Sequence, residues 1–417
     1  IYVIVAFADI TAGSFVGGTE ELEGSGVRFN PGGAVAAASV MYLVLAIVMG
    51  LVQRWLKPPL WLATVIFVPA TFALSWLGTH VSEVLVFDAR TWGLLILAYC
   101  AVASVIPVWA LLQPRGYLGG FVLYTALALG VIGVLFGGYE LQQPAVNHWD
   151  TGKIGGQMFP FLFVTIACGA CSGFHGLVCS GTTSKQVDRE SHAHLVGYGA
   201  MLAEAFVALI ALVTVAICTD AQLVGLKPGK IYGNGIGDFM TLLIGKDQRA
   251  FAITFGAMAF STFVFDTLDV ATRLGRYLVQ ELTGLKGVGG AVFGTLATIA
   301  PAALFLAYGG EGSYLKFWSL FGASNQLLAA LTLLSIAVWL KKEGRGNLFV
   351  VVPLCFVLVV TLWALTSLAL ANFRASQGPD VAFANGLTSV ALITLALFLT
   401  WRAVAELRAT GSVPKTR

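Results

Sequence analysis

The sequence predicts an all-helical, polytopic membrane protein, and three observations predict it. Hydrophobic residues make up 58% of the 417 and charged residues only 11%. The mean hydropathy is +0.85, well outside the range of water-soluble domains. Apolar runs able to cross about 30 Å of hydrocarbon recur from one end of the chain to the other. They number about twelve, at 1–15, 33–52, 60–77, 93–112, 118–136, 159–171, 196–218, 251–265, 288–308, 317–340, 348–370 and 384–404. No stretch has the composition of a separate soluble domain, so 1–417 reads as a single transmembrane domain. Ile1 opens inside an apolar run with no charged region or cleavage site ahead of it, and the chain is expected to be a fragment lacking its natural start.

The loops between these runs carry the orientation. With the first segment leaving the cytoplasm, Arg54, Lys57, Arg115, Lys185, Arg189, Lys286, Lys341, Lys342, Arg345 and Arg402 all fall on the inner side. Most loop acids, among them Glu20, Glu83, Asp88, Glu140, Asp150, Asp247 and Asp380, fall outside. This obeys the positive-inside rule without adding or deleting a span, and it places the C-terminus in the cytoplasm. The net charge of +3 is too small to suggest a nucleic-acid surface. All six cysteines lie in or beside apolar runs, where they read as small buried hydrophobes and not as a disulfide framework. The turn signals Asn30-Pro31-Gly32-Gly33 and Lys227-Pro228-Gly229 mark outer loops. The apolar patch 234–244 is too short to span and suggests an interfacial helix.

The run from Phe159 to Gln186 organises the chain. It starts as an apolar helix and breaks into Ser172, Gly173, His175, Ser180, Thr182 and Thr183, at a depth where irregular backbone survives only inside protein or against a polar cavity. His175 can change charge near neutral pH in a wet cavity, or can rest on a neighbouring carbonyl. The hydroxyls and amides of Ser180, Thr182 and Thr183 suit a carboxylate or an ion; they equally suit a capped helix end. Cys168, Cys171, His175 and Cys179 have the ligand types of a metal site, but a CxxC within an apolar helix more simply packs small residues. No metal is therefore assigned, and no cofactor.

Four acids belong to membrane segments or their ends: Asp9, Glu204, Asp266 and Asp269. Glu204 lies roughly 12 Å along its helix from the start of the segment, at 1.5 Å per residue. A carboxyl at that depth serves either a coupling ion or a structural hydrogen bond. Asp266, Asp269 and Arg273 share one helical face at i, i+3 and i+7, which predicts an ion pair between Asp269 and Arg273 anchoring a helix end. Asn325 and Gln326 place amides within an apolar run, where they bond across helices or to a substrate.

These motifs resemble the carbon starvation protein A (CstA) family. The matching stretches begin at Asn30 (NPGGAVAAAS), Ser104 (SVIPVWALLQPRGYL), Phe159 (FPFLFVTIACGACSGFH), Ser180 (SGTTSKQ), Gly197 (GYGAMLAE), Ser261 (STFVFDTLDVATRLGRY) and Phe317 (FWSLFGASNQLLAAL). The resemblance implies a bacterial or archaeal inner-membrane transporter for peptides, or for pyruvate with protons, in carbon starvation. It also implies a LeuT-like bundle of inverted repeats with discontinuous helices around a midplane site, and further membrane segments before Ile1. On this reading Ser172, Gly173, His175, Ser180, Thr182, Thr183, Asn325 and Gln326 contact substrate or gate its path. Glu204, Asp269, Asp266 or Asp9 carries the coupling ion. The partners are then a small solute, protons and lipid. The other classes open to the sequence are an integral-membrane metal enzyme built on the Cys/His set, and a nutrient sensor without transport.

Overall fold

A computed structural model describes residues 1–21, 28–146, 148–152, 156–166, 171–309 and 312–410. Its helices are, in chain order, α1 (Tyr2–Phe15), α2 (Pro31–Trp55), α3 (Leu60–His80), α4 (Ala89–Val105), α5 (Leu112–Phe136) and α6 (Phe163–Ile166). There follow α7 (Gly173–Gly181), α8 (Glu190–His194), α9 (Ala200–Ala216), α10 (Asp220–Leu223), α11 (Pro228–Ile244) and α12 (Arg249–Thr283). The last four are α13 (Gly287–Gly309), α14 (Trp318–Lys342), α15 (Leu348–Ala375) and α16 (Val381–Thr410). A two-residue ladder, β1 (Glu20–Glu21) with β2 (Arg28–Phe29), precedes α2.

Among the described residues, nine helices are long and apolar enough to cross a membrane: α2, α3, α5, the run Glu190–Ala216 that joins α8 to α9, and α12 through α16. The chain is thus a multi-pass helical membrane protein. Two more of the expected segments appear as shorter apolar helices, α1 with 14 residues and α4 with 17. The expected segment 159–171 is broken. A π-helical turn, Met158–Leu162, leads into the four residues of α6, and 167–170 lie outside the described residues.

Helix starts follow local chemistry. Asn30 caps α2 by accepting from the Gly33 amide at 3.0 Å, with Pro31 at the first helical position, where its missing N–H costs nothing. Asp380 precedes α16 and accepts from the Phe383 amide at 2.8 Å; that bond holds its carboxyl below the usual carboxylate range. Asp88 does the same at α4, its carboxyl held down first by the Thr91 hydroxyl at 2.5 Å.

The chain divides into two compact units, each drawn from two stretches: 1–145 with 206–313, and 146–205 with 314–417. In the first, the 35-residue α12 packs against α1, α2, α3, α4, α5, α11 and α13. Val122, Ala126 and Leu129 of α5, Tyr232, Ile236, Phe239 and Met240 of α11, and Phe255 and Met258 of α12 form an apolar cluster. Of the expected patch 234–244, Ile236, Phe239 and Met240 are buried in this core, while Leu242, Leu243 and Ile244 are exposed. Gly233 lets α11 approach closely, since a Cβ there would stand 2.8 Å from Ala257. In the second unit, Ala330, Leu334 and Ala337 of α14 meet Val350, Leu354 and Val357 of α15, each set at helical spacing. α6 and α7 lie on α14.

Candidate functional site

In the second unit the break in the segment after Phe159 becomes a built polar site. α7 opens with its first amides unpaired by its own helix, as every helix does. Ser172 caps it, accepting from the His175 amide at 3.3 Å and donating to Asn325 Oδ1 at 3.3 Å. The same Oδ1 accepts from the Phe174 amide at 2.8 Å. Asn325 of α14 thus holds the N-terminal end of α7 and is itself buried. Gly173 makes the approach possible: a Cβ would stand 2.3 Å from the Asn325 carbonyl oxygen and 2.4 Å from the Ala329 nitrogen. One turn on, His175 Nδ1 lies 3.4 Å from Glu204 Oε2, with side chains 44% and 24% exposed. Gln326, beside Asn325, is fully buried, and neither of its amide atoms has a hydrogen-bond partner. Orphaned polar atoms at such burial are rare and mark a place to look for a ligand or water.

The structure thus brings together Ser172, Gly173, His175, Glu204 and Asn325. The hydroxyl run lies at the other end of α7 and bonds locally. Ser180 Oγ donates to the Leu177 carbonyl at 2.9 Å, Thr182 closes the helix through its amide on the Val178 carbonyl, and Thr183 begins a 3-10 turn. Its geometry is that of a helix end. Of the cysteine set, Cys168 lies outside the described residues, and among those described no group of three His, Cys, Asp or Glu side chains is arranged to hold a metal.

The first unit holds a second polar centre. Arg115 of α5 is 1% exposed, and its Nη1 donates to Asp269 Oδ2, also 1% exposed. Tyr99 of α4 donates to the same oxygen at 2.7 Å and accepts from Arg115 at 2.9 Å. Arg115 Nη2 reaches the Thr262 carbonyl at 3.3 Å, and Tyr42 of α2 donates to the Arg115 carbonyl at 2.5 Å. Asp266 Oδ1 stands 3.3 Å from Arg115 Nε, with its side chain 40% exposed. Asp9 is buried in α1 of the same unit.

Two expectations change here. Asp269 pairs with Arg115 and not with Arg273, whose Nη2 donates to the Ala103 and Ile106 carbonyls at 2.6 and 2.7 Å. Those carbonyls close α4, where the helix has no partners of its own to offer, so Arg273 satisfies them and leaves Asp269 to another cation. Arg115 itself is a buried helical residue and not a loop cation. Gln113-Pro114-Arg115-Gly116 looks like a turn, but proline is tolerated in the first turn of a helix, and α5 begins at Leu112. A lone arginine at the start of an apolar run was the available signal. A cavity of about 390 Å³ bordered by Gln53, Arg54, Trp109 and Tyr117 in the first unit, and one of about 280 Å³ bordered by Lys316, Ser319, Asn372 and Asn385 in the second, include none of the expected site residues.

Ionisable and amide side chains gathered inside apolar helices, together with a span broken at a capped half-helix, define a multi-pass membrane protein that keeps polar sites within its bundles. The family model described as Carbon starvation protein CstA matches residues 1–234 and 224–364. The chain belongs to the carbon starvation protein CstA family. Curated relatives include the peptide transporter CstA of Helicobacter pylori, 31% identical over 78% of this chain and 57% of the relative. The peptide transporter CstA of Campylobacter jejuni is 33% identical, over 78% and 56%. The pyruvate/proton symporter BtsT of Escherichia coli is 30% identical, over 77% and 58%. The chain spans a little over half the length of these relatives.

Proposed function

We propose that the protein is a secondary active transporter of the bacterial cytoplasmic membrane that imports a small carboxylate-bearing solute, a peptide or pyruvate, together with protons. The observation that carries this reading is the broken segment ahead of α7, with His175 and Glu204 one turn beyond the break. A helix N-terminus favours an anion by about 0.3–1 kcal/mol at an exposed site, and half-helix ends at the membrane midplane are where transporters of the LeuT-like class hold carboxylates. The names of the relatives supply the two substrate classes and the proton.

In this reading Ser172, Gly173 and His175 meet the substrate carboxylate, and Asn325 and Gln326 form the facing wall. Glu204, 3.4 Å from His175, carries a coupling proton. Ser180, Thr182 and Thr183 belong to a gate at the far end of α7. Twelve spans arranged as inverted repeats, with the C-terminus in the cytoplasm, complete the architecture, and import serves growth under carbon starvation. The test is binding of pyruvate and of a dipeptide to the full-length protein, measured by calorimetry. His175→Ala and Asn325→Ala should each weaken binding at least tenfold, about 1.4 kcal/mol. Binding of neither solute, or affinities untouched by both substitutions, would remove the proposal.

A further inference from the structure

We infer that Asp266, and not its neighbour Asp269, is the group of the first unit that takes up and releases a proton, with Arg115 as the fixed counter-charge. The inference rests on the proton-coupled reading above and adds a second proton-binding position to it.

Two carboxyls turn toward one buried guanidinium: Asp269 and Asp266 sit three residues apart on α12 and both face Arg115. The two acids are held very differently. Asp269 is 1% exposed, and its Oδ2 accepts from both Arg115 Nη1 and Tyr99. A buried pair so bonded is kept as a unit, since stripping the charge from either partner leaves the other stranded. Asp266 is 40% exposed and meets Arg115 through Nε alone, at 3.3 Å, and that Nε makes no hydrogen bond. Asp266 gains attraction without a directed bond and feels the charge of Asp269 one turn away.

Arg273, on the same face of α12, keeps its positive charge and acts on Asp269, while its Nη2 donates to the carbonyls of Ala103 and Ile106. Tyr42 from α2 and Tyr99 and Cys100 from α4 also face the cluster. Tyr42 is committed to the Arg115 carbonyl and Tyr99 to Asp269. Phenols with an ordinary pKa of about 10 hold their protons at neutrality. α1 contributes the acid Asp9 to the unit, and Asp238 of α11 pairs with Arg249 at 3.1 Å. One proton from water, forming one O–H bond on Asp266, removes one of the two negative charges that face Arg115. Arg115 ties together α2, α4, α5 and α12, so that proton changes the load on a residue where four helices meet.

The experiment is infrared difference spectroscopy of the full-length protein during a pH titration without substrate, reading the carbonyl stretch of protonated carboxyls. Asp266→Asn should abolish one titrating band and Asp266→Glu should restore it at a shifted frequency, while Glu204→Gln leaves that band in place. A titrating band that survives intact in Asp266→Asn, or vanishes only in Asp269→Asn, overturns the inference. Because no substrate or gradient is involved, a protein that fails to transport can still show the band. Conversely, gradient-driven uptake with a band indifferent to Asp266→Asn sinks this inference alone.

Discussion

Arg115 and Asp269 are each 1% exposed, so each finds its compensation in the other and in Tyr99. Two charges in that position contribute little as a pair, because their mutual attraction only offsets the cost of leaving water. Either one alone is expensive. Arg115→Met should therefore destabilise the protein by about 3–5 kcal/mol, measured by unfolding in detergent. Arg115→Met combined with Asp269→Leu should recover most of that loss, since no charge is then stranded. Equal losses in the single and double variants would mean that packing around Arg115, not its charge, holds the four helices. The His175 and Glu204 pair is of a different kind: at 44% and 24% exposure its members are only partly buried, and their separation is 3.4 Å.

At the scale of elements, the seating of α7 on α14 decides whether a site exists. The contact depends on one missing methyl group. A Cβ at Gly173 would lie 2.3 Å from the Asn325 oxygen and 2.4 Å from the Ala329 nitrogen, both backbone atoms that cannot swing aside. Gly173→Ala must push α7 away from α14 and take the Phe174 amide out of reach of Asn325 Oδ1, now 2.8 Å away. The expected result is loss of substrate binding by more than tenfold with helix content by circular dichroism unchanged, because α14 and α15 keep their own core of Ala330, Leu334, Leu354 and Val357. Binding at the parental affinity would show that the α7 end is not part of the site. Part of this element was legible beforehand, since the apolar run breaks at Ser172-Gly173; that Ser172 caps a new helix there was not. The helix-end geometry, with Ser180 bonded to the Leu177 carbonyl and Thr183 opening a 3-10 turn, was the reading left beside the functional one, and sequence offered no way to choose.

For the whole molecule, apolar periodicity located the helices well, as with α3, which starts at Leu60 directly after Pro58-Pro59. Among the described residues, length alone separated the nine long apolar helices from the shorter α1 and α4. What periodicity cannot carry is partnership between distant residues. Asp269 and Arg115 are 154 positions apart, and the local i+4 cation was the obvious but mistaken partner. Glu204 and His175 were each legible as intramembrane ionisable groups, but their meeting depends on how the broken segment folds back. The central claim is that these groups serve proton-coupled import, and uptake by full-length protein in liposomes under an imposed pH gradient tests it most directly. An inward proton gradient should drive accumulation of pyruvate or peptide, and His175→Ala and Glu204→Gln should each abolish it. Uptake that ignores the gradient, or that both variants perform as well as the parent, would contradict the account.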